Sequence, residues 1–130
     1  MLMDLRSGRI RINDELVIHP QYSFEEFQKS SFYRGQDDIR VIHLEAAQII
    51  DGRKYLVDLN FHNKKIYSVC LWNIDEEPDL CEDIEKEKEI HDRILIENGI
   101  LNGCQYGWGD ILSVCDRKGG GCHIGIYYSI

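Results

Sequence analysis

Proline is nearly absent from this chain, with two in 130 residues, so collagen-like and proline-rich extended architectures are excluded. Long apolar runs are missing as well, and nothing approaches the roughly 18 consecutive apolar residues of a membrane-spanning helix. The opening MLMDLRSGRIRINDEL has no apolar stretch behind a basic start, so no secretory signal is expected and a cytoplasmic location is. Neither Cys-x-x-Cys nor His-x-x-x-His spacing occurs, which removes the common zinc signatures. What remains is the composition of an ordinary globular domain, 43% apolar and 29% charged, and residues 1–130 are expected to form a single domain.

Five cysteines (Cys70, Cys81, Cys104, Cys115, Cys122) are an odd number without a disulfide-framework spacing. In a reducing compartment they are expected to be free thiols, mostly buried as small apolar groups.

The segments alternate between strand and helix signals. Arg9 to Ile12, a turn at Asn13-Asp14 and Leu16 to Ile18 read as a β-hairpin. Ser23 with Glu26 is a capping box opening a short helix to about Ser31, with Phe24 and Phe27 on one face. Three strand-like runs follow, Ile39 to Ile50, Arg53 to Phe61 and Lys65 to Ile74, with the hairpin signal Asp51-Gly52 between the first two. Pro78 opens a long helix that Asn98-Gly99 closes, its stripe of Leu80, Ile84, His91, Ile94 and Leu95 turned toward the sheet. Gly103 to Gly109 reads as a loop. The order ββαβββαββ predicts an α+β domain, a mainly antiparallel sheet with two helices packed on one side.

The last strands, Ile111 to Cys115 and Cys122 to Tyr128, bracket a triple glycine. A register that closes on residues 116–121 places Cys115 opposite Cys122, Ser113 opposite Ile124 and Ile111 opposite Ile126. By the period of two, His123 then points to the other face beside Val114. Cys115, Cys122 and His123 therefore do not converge, and neither a metal site nor a catalytic Cys-His pair is expected. The triple glycine precedes a strand and not a helix, so it reads as a hairpin turn and not a phosphate loop.

Charge is the informative feature. Residues 75–97 hold 11 acidic against three basic side chains, a net of −8, while the other 107 residues carry 12 of each sign. Such a segment repels nucleic acid and attracts a basic protein. Candidate partner-binding residues are Asp75, Glu76, Glu77, Glu82, Asp83, Glu85 and Glu89, with Trp72 and Trp108 as aromatic anchors; no cofactor is expected.

The stretch Gly107-Trp108-Gly109-Asp110-Ile111, then Asp116-Arg117-Lys118-Gly119-Gly120 and the closing Ile124, Ile126 and Tyr128, resembles the ending of small bacterial proteins that accompany secreted antibacterial toxins. Size, acidity and layout are similar to immunity proteins of contact-dependent growth inhibition systems. The resemblance implies a non-enzymatic cytoplasmic protein that neutralises a cognate toxin domain, commonly a nuclease, by covering its basic active-site cleft. The alternatives are a small enzyme using a Cys/His pair, or an adaptor module unrelated to any toxin.

Overall fold

The computed structural model describes residues 1–37, 39–75, 84–101, 103, 105–116 and 121–129. The first hairpin is β1 (Ile10–Arg11) with β2 (Val17–Ile18), paired Ile10 to Ile18 and Arg11 to Val17. Its turn is held by Asn13, whose Oδ1 accepts the amides of Glu15 and Leu16, both at 2.9 Å. The helix α1 (Phe24–Gln28) has the expected capping box. It ends earlier than the sequence suggests, because the Glu15 carboxylate takes the amide and hydroxyl of Ser31 into a loop at 2.5 and 2.6 Å.

The expected strand Ile39 to Ile50 is two, β3 (Val41–His43) and β4 (Gln48–Ile50), both antiparallel to β5 (Arg53–His62). Residues 44–47 loop out between them, a break that no proline or glycine marks. Asp51 and Gly52 both have positive φ, 52° and 78°, the I′ geometry that the pair signals. Asn63 and Lys64 make the equivalent turn, at φ 52° and 63°, between β5 and β6 (Lys65–Asn73).

The second helix, α2, is described over Ile84–Glu97; its expected opening at Pro78 and Leu80 lies outside the described residues. Its end is a Schellman motif: the Ile100 amide donates to the Leu95 carbonyl at 2.9 Å and the Gly99 amide to Ile96 at 3.0 Å, with Gly99 at φ 70°. Ile100 and Leu95 are both buried, the apolar contact that accompanies this cap. The expected loop 103–109 contains a further short strand, β7 (Gln105–Tyr106), paired with the start of β8 (Gly109–Asp116). The last strand is β9 (Gly121–Tyr128).

The fold is α+β, as expected, with a seven-stranded antiparallel sheet in the order β3-β5-β6-β9-β8-β7 and β4 also on β5. The register of β8 with β9 is the one read from the sequence, including Cys115 to Cys122 and Val114 to His123. In β6 the alternation changes phase at a bulge: Asn60 pairs with Ser68 but Phe61 with Ile66, leaving Tyr67 over. Ile66 therefore shares the core face with Val69 and Leu71, while Ser68, Cys70 and Trp72 take the opposite one.

One core cluster runs from Leu2 to Tyr128. It lies on the sheet face of Tyr55, Val57, Leu59, Val69, Leu71, Ile111, Ile124 and Ile126, beneath α1, α2 and the N-terminal hairpin. The N-terminal segment is locked down by two bonds, Trp108 Nε1–H to the Leu5 carbonyl and Tyr128 O–H to the Gly8 carbonyl, both 2.8 Å.

Gly8 has φ 77°, and a Cβ there would lie 2.5 Å from the Trp108 ring; Gly35 has φ 82° and open space. Gly35→Ala is expected to cost about 1 kcal/mol, the left-handed backbone penalty alone. Gly8→Ala should cost roughly 1–3 kcal/mol more, through overpacking against the indole. Urea unfolding of the two variants checks the difference, and equal midpoints would refute it.

Candidate functional site

The alternation that buries one face of the sheet turns the remaining side chains of each strand to the other face, which no described element covers. Across β3, β5, β6, β9 and β8 this face presents Val41, Asn60, Ser68, Tyr127 and Asp110 in one row, and His43, Asp58, Cys70, Gly125 and Leu112 in the next. The third row is Leu56, Trp72, His123 and Val114. Most of these are half-buried and several are open, with Leu56 43% and Val41 40% exposed. Among the described residues neither helix lies over them.

Aromatic rings dominate the face. Trp72 packs on His123 at 4.8 Å, His62 stacks on Tyr67 at 4.2 Å, and Tyr67 meets Tyr127 edge-on at 6.1 Å. The Tyr127 ring lies across Gly125, where a Cβ would come within 2.5 Å of it. Among the described residues no hydrogen bond uses the Trp72 indole N–H or the Tyr67 and Tyr127 hydroxyls. Asn60 Oδ1 is buried on this face without a partner among the described residues.

The central row carries the groups nearest to chemistry. His43 Nδ1 lies 2.6 Å from Asp58 Oδ1, and Asp58 is paired across the ladder with Cys70. The carboxylate therefore stands between imidazole and thiol, whereas a nucleophilic relay needs the imidazole in the middle. Burial, the largest cause, pushes the Cys70 thiol up to about 11, so it stays protonated near neutrality.

Cys115 and Cys122 are not free thiols as expected: they form a disulfide. The register that the sequence predicted puts them opposite each other on one face with Cα atoms 4.0 Å apart, close enough for the sulfurs to join. A cross-link over so short a loop contributes about 2–3 kcal/mol in the chain-entropy account. Cys70 is free; Cys81 and Cys104 lie outside the described residues. Among the described residues, no three His, Cys, Asp or Glu side chains are grouped to hold a metal ion.

The acidic candidates separate on inspection. Asp75 is structural: it accepts the Lys54 amide at 2.8 Å and the Asn73 side chain at 2.9 Å, with Arg53 at 3.8 Å. Glu89 is exposed but paired with Arg93 at 3.1 Å, the i,i+4 pair that its spacing predicts. Glu85 is exposed. Glu76, Glu77, Glu82 and Asp83 lie outside the described residues. Two further helix carboxylates have partners, Asp92 with Lys88 at 3.1 Å and Glu97 with Arg53 at 2.5 Å, and Glu87 accepts the Cys122 amide at 3.2 Å. The two tryptophans also differ. Trp72 stands on the open face, but Trp108 is 8% exposed and hydrogen-bonded within the core, so it is not an anchor for a partner.

The sequence did carry a sign of the open face. Both phases of β6 are rich in apolar and aromatic residues, and a face that met only water would have been polar. Comparison with protein-family models, curated proteins and solved structures finds no match.

Two histidines tie the structure to pH. His91 is buried, with Nδ1–H donating to the Glu87 carbonyl at 2.8 Å and Nε2 accepting the Asn73 amide at 3.1 Å. Burial lowers its pKa, and that of His123, from the usual 6.5. Below about pH 6.5 the unfolded chain takes up protons that the folded one resists. Stability is therefore full above that pH and falls as pH drops toward 5. Denaturation at several pH values should show this slope, and His123→Gln should reduce it; a flat profile would contradict both assignments. In the same pH-neutral range, peptide-resolved alkylation of native protein should modify Cys70 at least about tenfold more slowly than a free cysteine.

Proposed function

We propose that this chain is a non-catalytic binding protein of the immunity type, which neutralises a cognate secreted toxin domain by covering it with the open face of its sheet. The observation that carries the reading is that face itself: a twisted antiparallel surface with Trp72, Tyr67, Tyr127 and exposed Leu56, whose ring polar groups have no hydrogen-bond partner among the described residues. Aromatic residues with an apolar body and an unused polar tip are the groups that protein interfaces concentrate. Five strands at about 4.8 Å spacing and eight residues of length give roughly 600 Å², near the ~800 Å² that each partner contributes to a standard complex.

Charge selects the partner. With a formal net charge of −8, a second copy is repelled and a basic domain attracted; the cleft of a nuclease has that character. The acid-rich segment that starts at Asp75 follows Trp72 by three residues, which places Glu76, Glu77, Glu82 and Asp83 next in the chain to the aromatic centre. Glu85 and Glu89 extend this charge onto the outer side of α2. In this reading the aromatic face supplies lifetime and the acid supplies association rate. The chain works in the cytoplasm, where reducing conditions would open the Cys115–Cys122 bond and the paired backbones of β8 and β9 would keep the register.

The enzyme alternative draws no support from Cys70, with its raised pKa and its wrong order relative to His43, nor from Cys115, which stands opposite Cys122 on the face away from His123.

Affinity capture of the tagged chain from its own bacterium, with mass spectrometry of what is retained, is the direct test. A stoichiometric basic toxin fragment is expected, and recovery of nothing at low and moderate salt would refute the reading. With that fragment, Leu56→Glu should raise the dissociation rate at least about tenfold. Reversing Glu82, Glu85 and Glu89 to Lys should instead slow association and flatten its salt dependence. If Leu56→Glu binds like the parent, the open face is not the interface.

A further inference from the structure

A second concave surface lies at the far end of β6 from the acidic segment. It is a cleft of about 970 Å³ between α1, the β5–β6 turn and the approach to β3. Arg40, Lys64 and Lys65 line it. All three are exposed, and among the described residues none makes an ion pair or a side-chain hydrogen bond. Arg11, Arg53, Lys88 and Arg93 are each paired with a carboxylate, whereas these three cations stand together in one cleft without one among the described residues.

The frame of the cleft is rigid. The Phe24 amide donates to the Lys64 carbonyl at 2.9 Å and the Phe61 amide to the Arg40 carbonyl at 2.8 Å, while Ser23 bridges to Lys65. These backbone bonds fix the three cationic residues relative to one another. The cleft also contains Phe24, Phe61 and Ile39, an apolar floor whose outermost part is Ile39, 50% exposed. Among the described residues two carboxylates line it. Asp37 is already occupied by the Tyr33 hydroxyl at 2.8 Å and the Gln28 amide at 3.0 Å; Glu25 faces solvent at the rim.

We infer that this cleft binds a small organic phosphate monoester with a flat apolar body, the phosphate held by Arg40, Lys64 and Lys65 and the body seated over Ile39 and the phenylalanine floor. Arg40, Lys64 and Lys65 outnumber the carboxylates of Asp37 and Glu25 in the described lining, and an arginine can engage phosphate oxygens in pairs. The volume is at the upper end of the roughly 300–1,000 Å³ of small-molecule sites. The apolar body is required because the rest of the chain, strongly acidic, opposes a bare anion at long range.

The test is an amide NMR titration of the whole chain with phenyl phosphate, with inorganic phosphate and phenylacetate in parallel. Phenyl phosphate is expected to shift the amides of Arg40, Lys64 and Lys65 with Kd below about 1 mM, and the other two probes to bind at least about tenfold more weakly. Arg40→Gln with Lys65→Gln should weaken phenyl phosphate at least about tenfold, with unchanged shifts in β8 and β9 reporting an intact fold. Lys64→Asn, which suits the positive φ, is a second variant with the same expectation. Absence of shifts at the cleft up to about 10 mM phenyl phosphate, equal binding by the variants, or inorganic phosphate binding as tightly would each overturn the proposal.

Discussion

The pairing of β6 with β5 on one side and β9 on the other is the contact on which the rest depends. It holds Val69 and Leu71 fully buried in the middle of the sheet, and with them sets which face of every other strand is inside. Because side chains alternate with a period of two, one choice at β6 decides Tyr55 to Leu59 on β5 and Ile111, Ile124 and Ile126 on β8 and β9. The two helices and the first hairpin then have a single apolar surface to cover. The bulge at Tyr67 matters for the same reason: it returns Ile66 to the core and turns Tyr67 outward, next to Tyr127 and His62.

Closure of the core comes from far along the chain. Trp108 and Tyr128 reach the carbonyls of Leu5 and Gly8, more than 100 residues away in sequence, and Asn98 at the end of α2 accepts the Leu2 amide at 2.7 Å while donating to the Ile94 carbonyl at 2.8 Å. The closing residues thus have a structural task in this chain: Trp108 and Tyr128 fasten the N-terminal segment, and Gly109 lets β8 pass where a Cβ would strike the Tyr127 carbonyl at 1.9 Å.

Electrostatically the chain divides between its ends. Within the described part of α2 most carboxylates meet a base or an amide of the protein itself, so the helix is less bare than its composition suggests. Surface pairs of this kind contribute little to stability, ~0.2–1 kcal/mol each at most, but they do reduce the charge that a partner would feel. The three cations beside α1 have no such partners among the described residues, a clustering that composition averaged over 107 residues conceals.

Local signals determined a good part of this fold. The capping box at Ser23 and Glu26, the I′ turn at Asp51-Gly52, the glycine cap at Gly99 and the register of the last hairpin all rest on contacts within a few residues, where backbone sterics and side-chain period act without reference to the rest of the molecule. The candidate site was legible only in part. Trp72 was read from sequence, but His43, Asp58, Tyr67 and Tyr127 were not, because strands distant in sequence bring them together. Tertiary structure decided the break between β3 and β4, the phase change at Tyr67, the burial of Trp108 and the attachment of Asp75 to the sheet edge. It also joined Cys115 to Cys122, which the sequence could place opposite each other but not bond. Each of these depends on what a residue meets across the sheet or core, and a side chain's own chemistry does not specify its neighbour.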